Sequence, residues 1–189
     1  MLKDTNLKFE IPKLTKTNRS DFIDFWKKEY SYFNEDLYND NIGQKLNKER
    51  ILSLYKWKNG HSKISQRKLQ SIERVYLERL EDSTKVTNMK EGEEYLNKLD
   101  GGAIWDIFWL HCLNPKLFPI FDQHTYRSMK KIIDGKPSEI PNNRLKKIDI
   151  YFKNYIPFFK SLSSSSSTRD VDKALFAYGR FLKRGFSGK

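Results

Sequence analysis

Apolar and polar positions along this chain repeat with the period of a helix far more often than with the period of a strand. In DFIDFWKKEY (21–30), Phe22, Phe25, Trp26 and Tyr30 fall on roughly one face, and Ser20 stands where an N-cap belongs. A second helix is predicted over 49–57, stopped at Asn59-Gly60. Ser65 then opens a long amphipathic helix to about residue 80, with Leu69, Ile72, Val75, Tyr76 and Leu80 inward. Its outer face carries Arg67, Lys68, Glu73, Arg74 and Arg79, a solvated pattern. AIWDIFWLHCL (103–113) is apolar nearly all round and predicts a buried central helix, ended by Asn114-Pro115. The next helix starts near Asp122 and runs to about residue 133, before the turn Asp134-Gly135-Lys136-Pro137. A further helix spans roughly 142–154, with room to continue past Pro157. SLSSSSS is a polar loop, and 170–184 closes the chain as an amphipathic helix with a basic end. The predicted class is all-α, with no internal repeat.

Length and composition narrow this picture. A chain of 189 residues, 38% hydrophobic and 14% aromatic, builds a real core. It fits one unit over 1–189, either one domain or two lobes. Lys and Arg number 36 against 24 Asp and Glu, a net charge of +12. Such an excess favours polyanionic partners, nucleic acid above all, because each neutralised phosphate releases counterions. A lysine-rich proteome would give a similar bias. The single cysteine, Cys112, excludes an internal disulfide and any four-cysteine metal or cluster site. The N-terminal MLKDTNLKFEIPKL lacks the apolar core of a signal peptide, and no apolar run approaches the roughly 20 residues of a membrane span. A cytoplasmic monomer with no membrane association, cofactor or metal is expected.

Candidate chemistry gathers around two stretches. Leu99-Asp100-Gly101-Gly102-Ala103-Ile104-Trp105 places two glycines before the central helix, where backbone can approach another molecule and N–H groups await an anion. Twenty-one residues after Gly101 comes Asp122, followed by Gln123 and His124, at the start of the next helix. A hairpin, a buried helix, a short Pro-containing loop and an acid at a helix start resemble the helix-hairpin-helix DNA glycosylase superfamily. In that family the hairpin reads leucine-proline-glycine-x-glycine, and the catalytic acid often reads aspartate-x-histidine. Here Asp100 stands in place of the proline and Ala103 in place of the second glycine, whereas Asp122-Gln123-His124 fits directly. The resemblance covers about residues 95–133.

The resemblance implies two helical lobes with a cleft between them, acting on double-stranded DNA that contains a modified or damaged base. The family position matching Trp105 is a lysine in bifunctional members, where its amine attacks the sugar. Trp105 cannot do so. The likeness is therefore to monofunctional, alkyladenine-glycosylase-like members, hydrolases of the N-glycosidic bond that leave an abasic site. It assigns Asp122 to catalysis, Trp105, Trp109, His124 and Trp57 to the base pocket, and Gly101, Gly102, Ala103 and Ile104 to the DNA backbone. Tyr55, Lys58 and Asn59 are further candidates for base contacts. An aromatic, cation-rich pocket suits alkylated, oxidised or hypermodified bases, including those of phage DNA, which leaves both repair and defence open.

Breaking an N-glycosidic bond builds positive charge on the sugar, as in an oxocarbenium-like transition state. A carboxylate aimed at that charge stabilises it, or orients an attacking water. Other readings stay open at this level. Asp at a helix start is in most proteins a cap. The stripe Trp105, Phe108, Trp109 and Cys112 has the spacing of a core face, and His111 that of a satisfied interior histidine. A non-catalytic helix-hairpin-helix nucleic-acid-binding protein, a metal-dependent nuclease built on Asp122 and His124 with His111 or His61, and a basic interaction protein are the alternatives.

Overall fold

A computed structural model describes residues 17–61, 63–81, 86–163 and 166–186, with side chains to residue 183. The N-terminal stretch read for a signal peptide, and Ser164 and Ser165 of the serine tract, lie outside them. All regular elements among the described residues are helical: α1 (Arg19–Lys28), α2 (Asp36–Asn39), α3 (Lys48–Asn59), α4 (Gln66–Ile72), α5 (Met89–Asn97), α6 (Ala103–Leu113), α7 (Gln123–Asp134), α8 (Arg144–Ile150), α9 (Ile156–Leu162) and α10 (Thr168–Phe186). Widened π-helical turns follow α4 (Glu73–Leu77) and join α8 to α9 (Tyr151–Tyr155). Among the described residues no helix is long and apolar enough to cross a membrane.

The chain divides into two compact units, residues 32–118 and the two ends, 1–31 with 119–189. In the 32–118 unit, α6 is the buried centre expected from its all-round apolar face, and Ile107, Phe108, Trp109 and Leu110 are fully buried. Tyr55 of α3 stacks on Tyr76 at 4.8 Å and meets Phe108 edge-on at 5.5 Å. α5 leads into the hairpin. Asn88 caps it by accepting from the Glu91 amide, and Glu91 in turn accepts from the amide and hydroxyl of Thr87. A Cβ on Gly92 of α5 would stand 2.4 Å from the Phe118 ring, so only glycine fits there without moving that ring.

In the unit built from the chain ends, α1 packs Phe22 and Trp26 against Tyr178 of α10, with ring centroids 5.1 and 5.0 Å apart. α10 also crosses α7 closely. Gly179 lies under His124, and the Ser128 hydroxyl donates to the Leu175 carbonyl at 2.6 Å. The segment from Arg144 to Leu162 is one helical course interrupted by a π turn, and Pro157 falls in the first turn of α9. Proline there lacks an N–H and would clash in a regular ladder, which the widened turn just before it relieves.

Three sequence expectations change. α1 is capped by Asn18, whose side chain accepts from the Asp21 amide, and Ser20 lies inside the helix. Ser65 occupies the N-cap of α4 without a side-chain cap bond, and regular helix ends at Ile72. The predicted 142–154 helix starts at Arg144, capped by Asn143. By contrast α3 stops where Asn59-Gly60 predicts, with Gly60 left-handed at φ 71°.

Candidate active site

The glycine hairpin lies in the 32–118 unit. The two glycines do different work, and neither sits in the left-handed region that only glycine enters easily. A Cβ on Gly101 would meet Asp106 Oδ1 at 2.2 Å and the Tyr76 hydroxyl at 2.7 Å. Those two groups form a buried pair, the Tyr76 hydroxyl donating to Asp106 at 2.8 Å. Gly101 is therefore glycine because of what packs behind it. Gly102 is exposed, caps α6 with no side chain, and a Cβ there would meet nothing within 4 Å. Its carbonyl accepts from the Trp105 and Asp106 amides, while Ala103 and Ile104 fill the first turn, whose N–H groups precede the intrahelical ladder. Asp100, in the place of the family's proline, is ion-paired to Arg74 and lies 3.9 Å from Arg79. The Arg74 contact holds the Asp100 carboxyl below its usual range, and the Arg79 charge adds to that pull.

The aromatic candidates separate sharply by burial. Trp105 is half-buried, with its carbonyl accepting from Tyr55 at 3.1 Å and the Lys68 ammonium 5.4 Å from its ring. Lys68 also donates to Asn59 at 2.6 Å, so a lysine that the pattern assigns to a solvated face ties Asn59 to Trp105. Trp109 is fully buried beside Tyr76, its indole N–H donating to the Tyr95 hydroxyl at 3.3 Å. Trp57 is also buried, donating to Glu35 at 2.9 Å between Tyr32, Tyr38 and Phe108. Tyr55 is in the core as well, and Lys58 lies over the Phe108 ring. Trp109→Ala is therefore expected to cost about 3–5 kcal/mol of stability, a core truncation. Trp105→Ala should cost clearly less. Equal losses in denaturant unfolding would place both rings in the core.

His111 is the satisfied interior histidine its spacing suggests. Its Nε2 lies 2.8 Å from the Tyr38 hydroxyl and its Nδ1 2.7 Å from the Phe118 carbonyl. His61 is exposed just after α3. Among the described residues no three His, Cys, Asp or Glu side chains are grouped to hold a metal ion.

Asp122 lies in the unit built from the chain ends. Asp122 is the N-cap of α7. Its Oδ1 accepts from the His124 amide at 2.8 Å and the Thr125 amide at 3.1 Å, and its own amide donates to Thr125 Oγ1 at 3.0 Å. The loop in front is held as firmly. Tyr151 and Tyr155, fully buried on the π turn, donate to the carbonyls of Pro119 and Ile120 at 2.9 and 2.8 Å. Burial pushes both phenols well above their ordinary values, so they remain donors. Asp122 itself stays half-buried. His124 packs edge-on to Phe176 at 4.9 Å. Burial, and then the Arg127 charge, hold its imidazole below the ordinary value against the opposing pull of Asp122.

A search for likenesses among protein families, curated proteins and solved structures returns no match to this chain.

Proposed function

We propose that this chain is a monofunctional DNA glycosylase of helix-hairpin-helix type that hydrolyses the N-glycosidic bond of a modified or damaged base in duplex DNA. The observation that carries the reading is the setting of Asp122. A cap alone needs a side-chain oxygen and two amides. Here the preceding loop is also clamped by two buried tyrosines, and Asp122 is only half-buried on that footing. A fixed carboxylate stabilises positive charge developing on a sugar without reorganising during the reaction. Supporting features are the exposed Gly102 at the start of α6 and the half-buried Trp105 where a nucleophilic lysine would otherwise stand. On this reading Trp105 stacks on a flipped base, and the net charge of +12 supplies general affinity for phosphate.

Duplex binding is expected to weaken steeply between about 50 and 200 mM salt. Gly102→Leu should weaken it further for every sequence, because the contact is to backbone, while leaving the melting temperature nearly unchanged. Gly101 is unsuited to that test, since any side chain there collides with Asp106. Salt-independent affinity, or Gly102→Leu binding as the wild type does, would remove the hairpin from the interface.

A further inference from the structure

Arg127 is an expensive residue to bury, and nothing in the proposed chemistry yet uses it. Its side chain is 3% exposed on the second turn of α7. Nη1 donates to the Gly179 carbonyl of α10 at 3.0 Å and lies 3.2 Å from His124 Nδ1, while Nη2 donates to Glu139 at 2.7 Å. A guanidinium offers five N–H donors, no acceptor, and keeps its proton. A hydrogen bond between it and an imidazole nitrogen therefore runs one way, from Arg127 to a lone pair on Nδ1. The proton of the neutral ring is then on Nε2.

We propose that Arg127 is a positioning residue that locks His124 in the neutral Nε2–H tautomer, so that His124 serves bound DNA as a hydrogen-bond donor to a backbone oxygen. The tautomer follows from the contacts around Nδ1, and the donor role rests on the glycosylase reading. Every neighbour of the ring enters the balance. Asp122 favours the imidazolium and the Gly179 carbonyl favours a ring N–H, whereas burial, Arg127 and Lys183 oppose the charge. The Gly179 carbonyl accepts from Arg127 and has a second lone pair open to a ring N–H, so it pulls against the lock. His124 so held is neither a proton-transfer group nor a metal ligand through Nδ1, because that lone pair already faces a cation.

Long-range proton–nitrogen correlations on the histidine rings of the full-length protein, without DNA, read the tautomer directly. The expected spectrum at about pH 7 shows His124 with Nδ1 unprotonated and Nε2 protonated, persisting below the ordinary histidine midpoint of about 6.5. A protonated Nδ1 at that pH would overturn the lock, whatever the protein does to DNA. Arg127→Met should let Nδ1 gain a proton, and if that variant does not fold the wild-type spectrum decides alone. Duplex affinity then tests the donor role. His124→Gln carries an amide N–H near the place of Nε2 and should bind within about twofold of wild type, whereas His124→Asn should bind roughly tenfold more weakly. Equal affinity of the two variants would overturn the donor role while leaving the tautomer, and excision by the wild type reports separately on the glycosylase reading.

Discussion

Asp122→Asn is expected to fold, cap α7 and bind duplex DNA, yet lose base excision by a factor of about 100 or more. The fold survives because asparagine caps nearly as well as aspartate, so the bonds to the His124 and Thr125 amides keep an acceptor. The clamps on Pro119 and Ile120 do not involve the carboxylate and stay in place. Binding is expected to be retained or tightened, since one negative charge leaves a chain whose net charge is already +12. On the glycosylase reading only the charge meant for the sugar is lost, and charge is what an oxocarbenium-like transition state needs. Single-turnover excision beside thermal melting separates these effects. Unchanged excision would make Asp122 a cap and nothing more, and a collapsed melting temperature would make it a cap the fold cannot spare.

Gly179→Ala should be among the most destabilising single-methyl additions in the chain. The new Cβ would lie 2.0 Å from the His124 carbonyl oxygen and 2.6 Å from its carbon. Both are backbone atoms, so no rotamer change relieves the contact. α7 and α10 are further tied there by Ser128 to Leu175 and Arg127 to Gly179, and separating the helices strains both bonds. Overpacking of this kind costs about 3 kcal/mol or more, which for a chain of this size lowers the melting temperature by roughly 6–12 °C. The displaced turn carries Asp122 and His124, so any excision should fall along with stability. Gly102→Ala is the control, with open space around its Cβ and an expected loss of about 0.5–1 kcal/mol, the cost of alanine in place of glycine at an N-cap. Equal melting temperatures for the two variants would mean that α10 does not pass this close to α7.

How far the sequence was readable follows from the range of the interactions involved. α6 and α7 were legible because local signals bound them. Their limits are an apolar run closed by Asn114-Pro115, and an Asp cap at one end with a left-handed Gly135 at the other. The π turns were not, because a widened turn leaves no periodic trace, and their tyrosines bond to Asp106, Pro119 and Ile120, distant in sequence. α5 escaped notice because Gly92 interrupts a short helical pattern, and the ring that explains this glycine is Phe118. Asn88 with Glu91 three places on was the usable signal. In the candidate site the Asp-x-His motif and its cap geometry were visible as residues. The separation of Trp105 from Trp109 and Trp57 was not, since all three share aromatic composition and burial alone distinguishes them. Arg127 three residues after His124 was visible too, but its third contact, Gly179, lies 52 residues away.

The measurement that tests base excision most directly is strand scission on a panel of duplexes, each carrying one alkylated, oxidised or hypermodified base, developed with and without alkali after incubation with the wild-type protein. The account predicts at least one duplex that breaks only after alkali or heat and yields no borohydride-trapped protein–DNA adduct, because Trp105 offers no amine to the sugar. Binding to every duplex with no alkali-labile site in any would contradict glycosylase activity, and a trapped adduct would contradict the monofunctional reading of Trp105.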